Sequence, residues 1–141
     1  MRIAVVDDES FILRLMKKTL EREDYIVRTY KNGFDFLEDY SEFNPEVIFL
    51  DILMPGMNGI QVYESVRDIN PEQTVIFISA YDFTGKLEQY LQPGKVVYLP
   101  KPFGIKELRE ILKKTVDSYN RARRCQSTEF VAVDEDADIE K

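Results

Sequence analysis

The sequence predicts an α/β domain built on a five-stranded, doubly wound parallel sheet, and three observations carry that expectation. Short continuous apolar runs recur along the chain: Ile3-Ala4-Val5-Val6, Val47-Ile48-Phe49-Leu50, Val75-Ile76-Phe77-Ile78 and Val96-Val97-Tyr98-Leu99. Runs of this length without polar alternation mark strands buried on both faces, as in parallel sheets. Segments of helical length separate them, and such alternation implies right-handed crossovers with helices on both sides of the sheet.

In chain order, strands are expected near 2–7, 25–30, 46–51, 73–79 and 95–99, with starts 21 to 27 residues apart. Helices are expected near 10–22, 33–40, 59–68, 83–91 and 104–122. The first places Ile12, Leu13, Met16 and Leu20 at helical spacing, with Lys17, Lys18 and Glu21 turned outward. The fourth contains Gly85 and stops at Pro93-Gly94, so its intrinsic stability is low. It is a short connector or an element built to move, and composition does not separate the two. The fifth carries Ile105, Leu108, Ile111, Leu112 and Val116, and ends in Arg121, Arg123 and Arg124. Cations there complement a helix C-terminus, a simpler reading than a recognition patch.

Past Arg124 the periodicity is lost and the chain turns acidic. The expected division is a folded domain over 1–124 and an acidic, disordered tail over 125–141, with Phe130-Val131-Ala132-Val133 as a possible added strand. The net charge of −7 sits mainly in that tail; residues 1–125 carry only −2, which argues against a nucleic-acid surface. A single cysteine, Cys125, cannot form an internal disulfide, which points to a reducing compartment. Too few residues precede Asp7 for a signal peptide, and no apolar run nears membrane-spanning length. A protein with no membrane contact, located in the cytoplasm, is expected. With no histidine in the chain, any phosphohistidine chemistry must use a partner's residue.

The residues that end the strands carry the functional signal. Asp7-Asp8, Asp51, Ser79 and Lys101 each follow a buried run, and open parallel sheets bind ligands at the carboxyl ends of their strands. Singly, each has an ordinary explanation: a helix start, the turn Met54-Pro55-Gly56, a small residue at a crowded strand end, a surface lysine. Jointly they meet on one edge. Mg²⁺ favours a few carboxylates with water and phosphate oxygens, and crowded carboxylates coexist only beside a cation. A carboxylate in such a site can attack phosphorus to form an acyl phosphate, with catalysis mostly positioning and charge neutralisation. Asp7, Asp8 and Asp51 balance Mg²⁺ and Lys101, so the site is neutral before a phosphoryl group arrives.

The ordered set Asp7-Asp8-Glu9, Asp51 with Met54-Pro55 and Gly59, Ser79-Ala80 and Lys101-Pro102-Phe103 resembles the receiver domain of two-component response regulators, over residues 1 to about 122. The resemblance implies a flavodoxin-like (βα)5 fold with strand order 2-1-3-4-5. It implies that Asp51 is the phosphoacceptor and that Asp8 ligates Mg²⁺ directly, Asp7 through water and Leu53 through its backbone carbonyl. Lys101 would pair with the phosphoryl group, Ser79 and Tyr98 would form the switch, and the Lys101–Pro102 bond would be cis. Leu53 and Tyr81 would flank the path of hydrolytic water. Neither can hold a water in line, so a persistent phosphoryl-aspartate is expected. The implied phosphodonor is a sensor histidine kinase or a histidine phosphotransfer protein. The implied output is a downstream protein bound on the face of the fourth helical segment, fifth strand and fifth helical segment. Such a chain is a switch that catalyses its own phosphorylation and slow dephosphorylation, not a metabolic enzyme.

Three alternatives stand beside this reading. An aspartyl-phosphate phosphatase places Asp, Ser and Lys on a similar sheet but needs an acid two residues past the nucleophile, where this chain has Leu53. A flavodoxin needs a hydroxyl- and glycine-rich loop where Asp7-Asp8-Glu9 would repel phosphate. A phosphorylation-independent interaction module with the same fold would have no use for three stacked carboxylates.

Overall fold

The unbroken apolar runs become strands covered on both faces. The computed structural model describes the backbone of residues 1–80 and 87–139, and the side chains of 1–80 and 87–124. Strands β1 (Arg2–Val6), β2 (Ile26–Tyr30), β3 (Val47–Asp51), β4 (Thr74–Ser79) and β5 (Val96–Pro100) form one parallel sheet in the order β2-β1-β3-β4-β5. Helices α1 (Ser10–Glu21), α2 (Gly33–Phe43), α3 (Gly59–Ile69) and α4 (Ile105–Ile139) complete the described elements.

Period-two alternation sorts the strand side chains into two cores. Ile3, Val5, Val47, Phe49, Ile76 and Ile78 pack with Leu13, Met16 and Leu20 of α1 and Leu108 and Leu112 of α4. Ala4, Val6, Ile48, Leu50, Val75 and Phe77 pack on the other side with Phe36 and Tyr40 of α2 and Val62, Tyr63 and Val66 of α3. The doubly wound expectation holds. β2, at the edge, exposes Ile26 and Arg28 and shows the half-buried pattern that its weaker sequence signal reflects.

Local signals fix the helix ends. The Asn32 side chain accepts from the Asp35 N–H at the start of α2, and left-handed Asn44 (φ 52°) closes it. A reciprocal capping box between Asn58 and Gln61 opens α3. Two helical expectations change. Ile105, counted on the inner face of the last helix, is 44% exposed, and the buried face is Leu108, Leu112 and Thr115. The backbone of α4 also runs past residue 122 to Ile139, where loss of periodicity points to disorder. No glycine or proline follows Gly104, so nothing in the chain breaks the helix. Arg121, Arg123 and Arg124 therefore lie within a helix and not at its C-terminus. Arg123 stacks over the Tyr119 ring at 5.7 Å, and Arg121 donates to Ser118 Oγ at 3.3 Å.

The predicted fourth helix lies partly in residues 81–86, outside the described residues, as does Tyr81. What is described begins at buried Leu87, whose carbonyl accepts from the Tyr90 and Leu91 N–H groups.

Gly59 ties α3 to the end of β3. Its N–H donates to the Ile52 carbonyl at 2.9 Å, and a Cβ at this position would sit 2.2 Å from the Asp51 carbonyl oxygen. Backbone cannot yield as a flexible side chain can. Gly59→Ala should therefore destabilise the domain by about 2 kcal/mol or more, seen as a loss of several degrees in thermal melting. An unchanged melting temperature would show that this junction relaxes freely.

Candidate functional site

Parallel register decides which residues meet at the carboxyl edge. Val6 pairs with Leu50, Asp51 with Ile78 and Ser79 with Pro100. Asp7 and Lys101 each lie one residue beyond their strand, Asp7 level with Asp51 and Lys101 one step past the Ser79–Pro100 pair. Alternation adds a second sorting. Asp7 continues Ile3 and Val5, Asp51 continues Val47 and Phe49, and Lys101 continues Val97 and Leu99, so all three keep the side of α1 and α4. Ser79 and Tyr98 continue the opposite set, with Val75, Phe77 and Val96.

Asp7, Asp8 and Asp51 bring one carboxylate oxygen each within 4.8 Å of the others. Asp7 and Asp51 are buried and Asp8 is exposed, so the cluster has a closed floor and an open mouth. Asp7 Oδ1 accepts from the Glu9 N–H at 2.8 Å. Its Oδ2 is sealed from solvent and lacks an aligned hydrogen-bond donor, though Lys101 Nζ stands 2.8 Å away as an ion pair. The same ammonium is 3.5 Å from Asp51 Oδ2 and 3.4 Å from Glu9 Oε1.

The electrostatics follow from this crowding. Burial, then the charge of Asp7, pushes the Asp51 carboxyl up to about 7; Lys101 opposes this only in part, and Asp8 adds to it. Burial likewise raises Asp7, against the pull of Lys101 and the Glu9 N–H. Burial acts to lower Lys101, but its contact with Asp7 and the charges of Asp7, Asp51 and Glu9 outweigh it and hold the ammonium charged. An all-oxygen donor set, half open to water and containing a buried carboxylate oxygen without an aligned donor, is the chemistry that suits Mg²⁺. Asp7, Asp8 and Asp51 would hold it.

Ser79 is fully buried, and its backbone carbonyl is shared. It accepts from the Lys101 N–H at 2.7 Å and from the Tyr98 hydroxyl at 3.3 Å. The Lys101–Pro102 peptide bond is cis. Leu53 lies at the rim, 44% exposed, and its N–H donates to the Asp51 carboxylate. The structure thus brings together Asp7, Asp8, Asp51 and Lys101, with Ser79 and Tyr98 joined to them through one carbonyl. Glu9 is the participant that sequence reasoning left without a role. Its signal was present: a third consecutive acid at a position where a short capping side chain would be ordinary.

A response regulator receiver domain family model matches residues 3–113. The DNA-binding transcriptional regulator NtrC of Escherichia coli (strain K12) is 29% identical over 126 residues, covering 89% of this chain and 27% of that protein. The chain thus spans about a quarter of that relative's length. Sporulation initiation phosphotransferase F of Bacillus subtilis (strain 168) is 29% identical over 113 residues, 80% of this chain and 91% of that protein. Among solved structures, the Francisella response regulator 1452 receiver domain aligns with a TM-score of 0.72 at 30% identity, covering 86% of this chain and 98% of that one.

The raised Asp51 value has a thermodynamic consequence. A carboxyl whose folded value exceeds its unfolded one near pH 4 binds its proton more tightly when folded. Its contribution is full below about pH 4 and is lost as the pH rises through about 7. In metal-free protein, Asp51→Asn should melt several degrees above wild type at pH 8, with the gap shrinking toward pH 4.5. Mg²⁺ should raise the wild-type melting temperature at pH 8. A gap independent of pH would show that Asp51 carries no such penalty.

Proposed function

The chain belongs to the response regulator receiver domain family, and from that premise we propose that it accepts a phosphoryl group from a partner phosphohistidine onto Asp51 and thereby changes which protein it binds. Phosphoryl acceptance is the family's function. The assignment to Asp51 rests above all on one observation: a buried carboxylate in the floor of an acidic cluster, with the ammonium of Lys101 3.5 Å away.

The chain's own groups account for the transfer. An Asp51 oxygen attacks phosphorus, and the phosphorus–nitrogen bond to the donor imidazole breaks, its electron pair staying on nitrogen. Lys101 and Ser79 then hold phosphoryl oxygens, the first by charge and the second by its hydroxyl. Asp7, Asp8, Asp51 and the Leu53 backbone carbonyl would hold Mg²⁺, Asp7 through water, and the cation would supply positive charge for the phosphoryl oxygens. Self-catalysed phosphorylation and slow hydrolysis need nothing beyond this set, and Leu53 offers no group to orient an attacking water. A sensor histidine kinase or histidine phosphotransfer protein is the donor, in the cytoplasm. Among the described residues no helix is long and apolar enough to cross a membrane.

The output side runs through Ser79 and Tyr98. The Tyr98 ring already packs against the α2–α3 core with its hydroxyl on the Ser79 carbonyl. The switch is therefore a change in how firmly that inward position is held, not a first entry into it. A downstream protein reads it on the surface formed by the segment before β5, β5 itself and α4.

Incubation with acetyl phosphate and Mg²⁺ should add one phosphoryl mass to the intact protein, and beryllofluoride should bind only with the divalent cation present. Asp51→Asn should abolish both, and Asp8→Ala should weaken Mg²⁺ binding at least tenfold, about 1.4 kcal/mol. Undiminished labelling of Asp51→Asn would move the acceptor elsewhere.

The same proposal places the working domain at residues 1–124. The described core contacts of α4 end near Val116, so a chain ending at Arg124 should melt within a degree or two of the full one and phosphorylate equally well. A fall of many degrees on truncation would make the acidic end part of the domain.

A further inference from the structure

Glu9 occupies the N-cap of α1, where a side chain ordinarily accepts a hydrogen bond from the helix's first turn. Its side chain makes no such bond. The carboxylate reaches instead to Lys101 Nζ at 3.4 Å, joining residues 92 apart in sequence. Lys101 is thereby divided among Asp7 at 2.8 Å, Glu9 at 3.4 Å and Asp51 at 3.5 Å. Asp7 and Asp51 are fixed in the floor of the site. Glu9 is 60% exposed at its side chain and costs little to displace.

A phosphoryl group arriving on Asp51 requires the same ammonium. Glu9 also changes the charge balance. Four acids against Lys101 and a divalent cation leave one negative charge in excess, so an incoming anion meets a site that is not neutral. We propose that Glu9 is a positioning residue that competes with the phosphoryl group for Lys101 and so limits how tightly the site holds it. The inference rests on Asp51 as the acceptor. Glu9 makes and breaks no covalent bond and acts only by holding or releasing the lysine.

Beryllofluoride titration at saturating Mg²⁺, followed by NMR of the full chain, separates the possibilities. Glu9→Gln removes the charge but keeps the length. Glu9→Asp keeps the charge but withdraws it by one methylene, and it places a favourable residue at the N-cap, so folding is not at risk. Both variants should bind beryllofluoride about three- to fivefold more tightly than wild type, the scale of an exposed ion pair. In both, the Lys101 side-chain ammonium resonance should move in the metal-free protein, which a merely structural effect on α1 would not produce. Tightening in Glu9→Gln alone would reduce Glu9 to a diffuse charge and overturn direct competition. Unchanged or weaker binding in both would overturn the proposal outright. If wild type itself fails to bind beryllofluoride with Mg²⁺, the acceptor assignment fails, a different result from equal binding by all three proteins.

Discussion

The ammonium of Lys101 is the charge on which the carboxyl edge of the sheet depends. Within 3.5 Å it meets carboxylates from the end of β1, from the cap of α1 and from the end of β3. Two of these are buried, and buried like charges repel strongly unless something opposite is held among them. The root of the lysine is held by backbone, since its N–H is anchored on the Ser79 carbonyl. A long flexible side chain thus starts from a fixed root. Its position can answer to charge without the strand moving.

That arrangement is poorly suited to stability and well suited to accepting an anion. Burial and the charge of Asp7 hold the Asp51 carboxyl near 7, so its ionised form costs folding energy that a divalent cation would offset. A site relaxed in its empty state would have no reason to bind the cation or to rearrange when a phosphoryl group arrives. The two well-packed cores on either side of the sheet offset the cost. Sites of this kind sit on rigid sheets because the sheet, not the site, supplies the stability.

Most of the fold was legible because parallel strands leave an unmistakable trace: unbroken apolar runs with their chemistry at one end. Val47–Leu50 followed by Asp51 read as a buried strand with an acid at its carboxyl end, as the structure has it. Glu9 escaped because a capping position gives an acid an adequate local explanation, and only the tertiary contact with Lys101, 92 residues away, shows otherwise. Ile105 fits the apolar stripe of α4 yet is 44% exposed, and the buried face of the helix begins with Leu108. The backbone span of α4 was less legible, since apolar periodicity reports a packed face and not the length of a helix.

In the proposed switch, Tyr98 would carry a change at the acidic edge to the other side of the sheet. Alternation puts Lys101 on the α1–α4 side and Tyr98 on the α2–α3 side, and the Ser79 carbonyl links the two by accepting from the Lys101 N–H and the Tyr98 hydroxyl. Below Tyr98 the same core contains Phe77, Tyr63 and Tyr90, whose rings meet edge to face at 5.4 and 5.5 Å. The Arg67 guanidinium lies over both tyrosines, at 5.3 and 5.7 Å. Edge-to-face rings and a stacked cation prefer defined orientations, unlike aliphatic packing, so they respond to displacement in steps. Ser79, through its carbonyl, and Tyr98 thus adjoin the core that holds this aromatic group, and the proposed switch would run through that core toward α3.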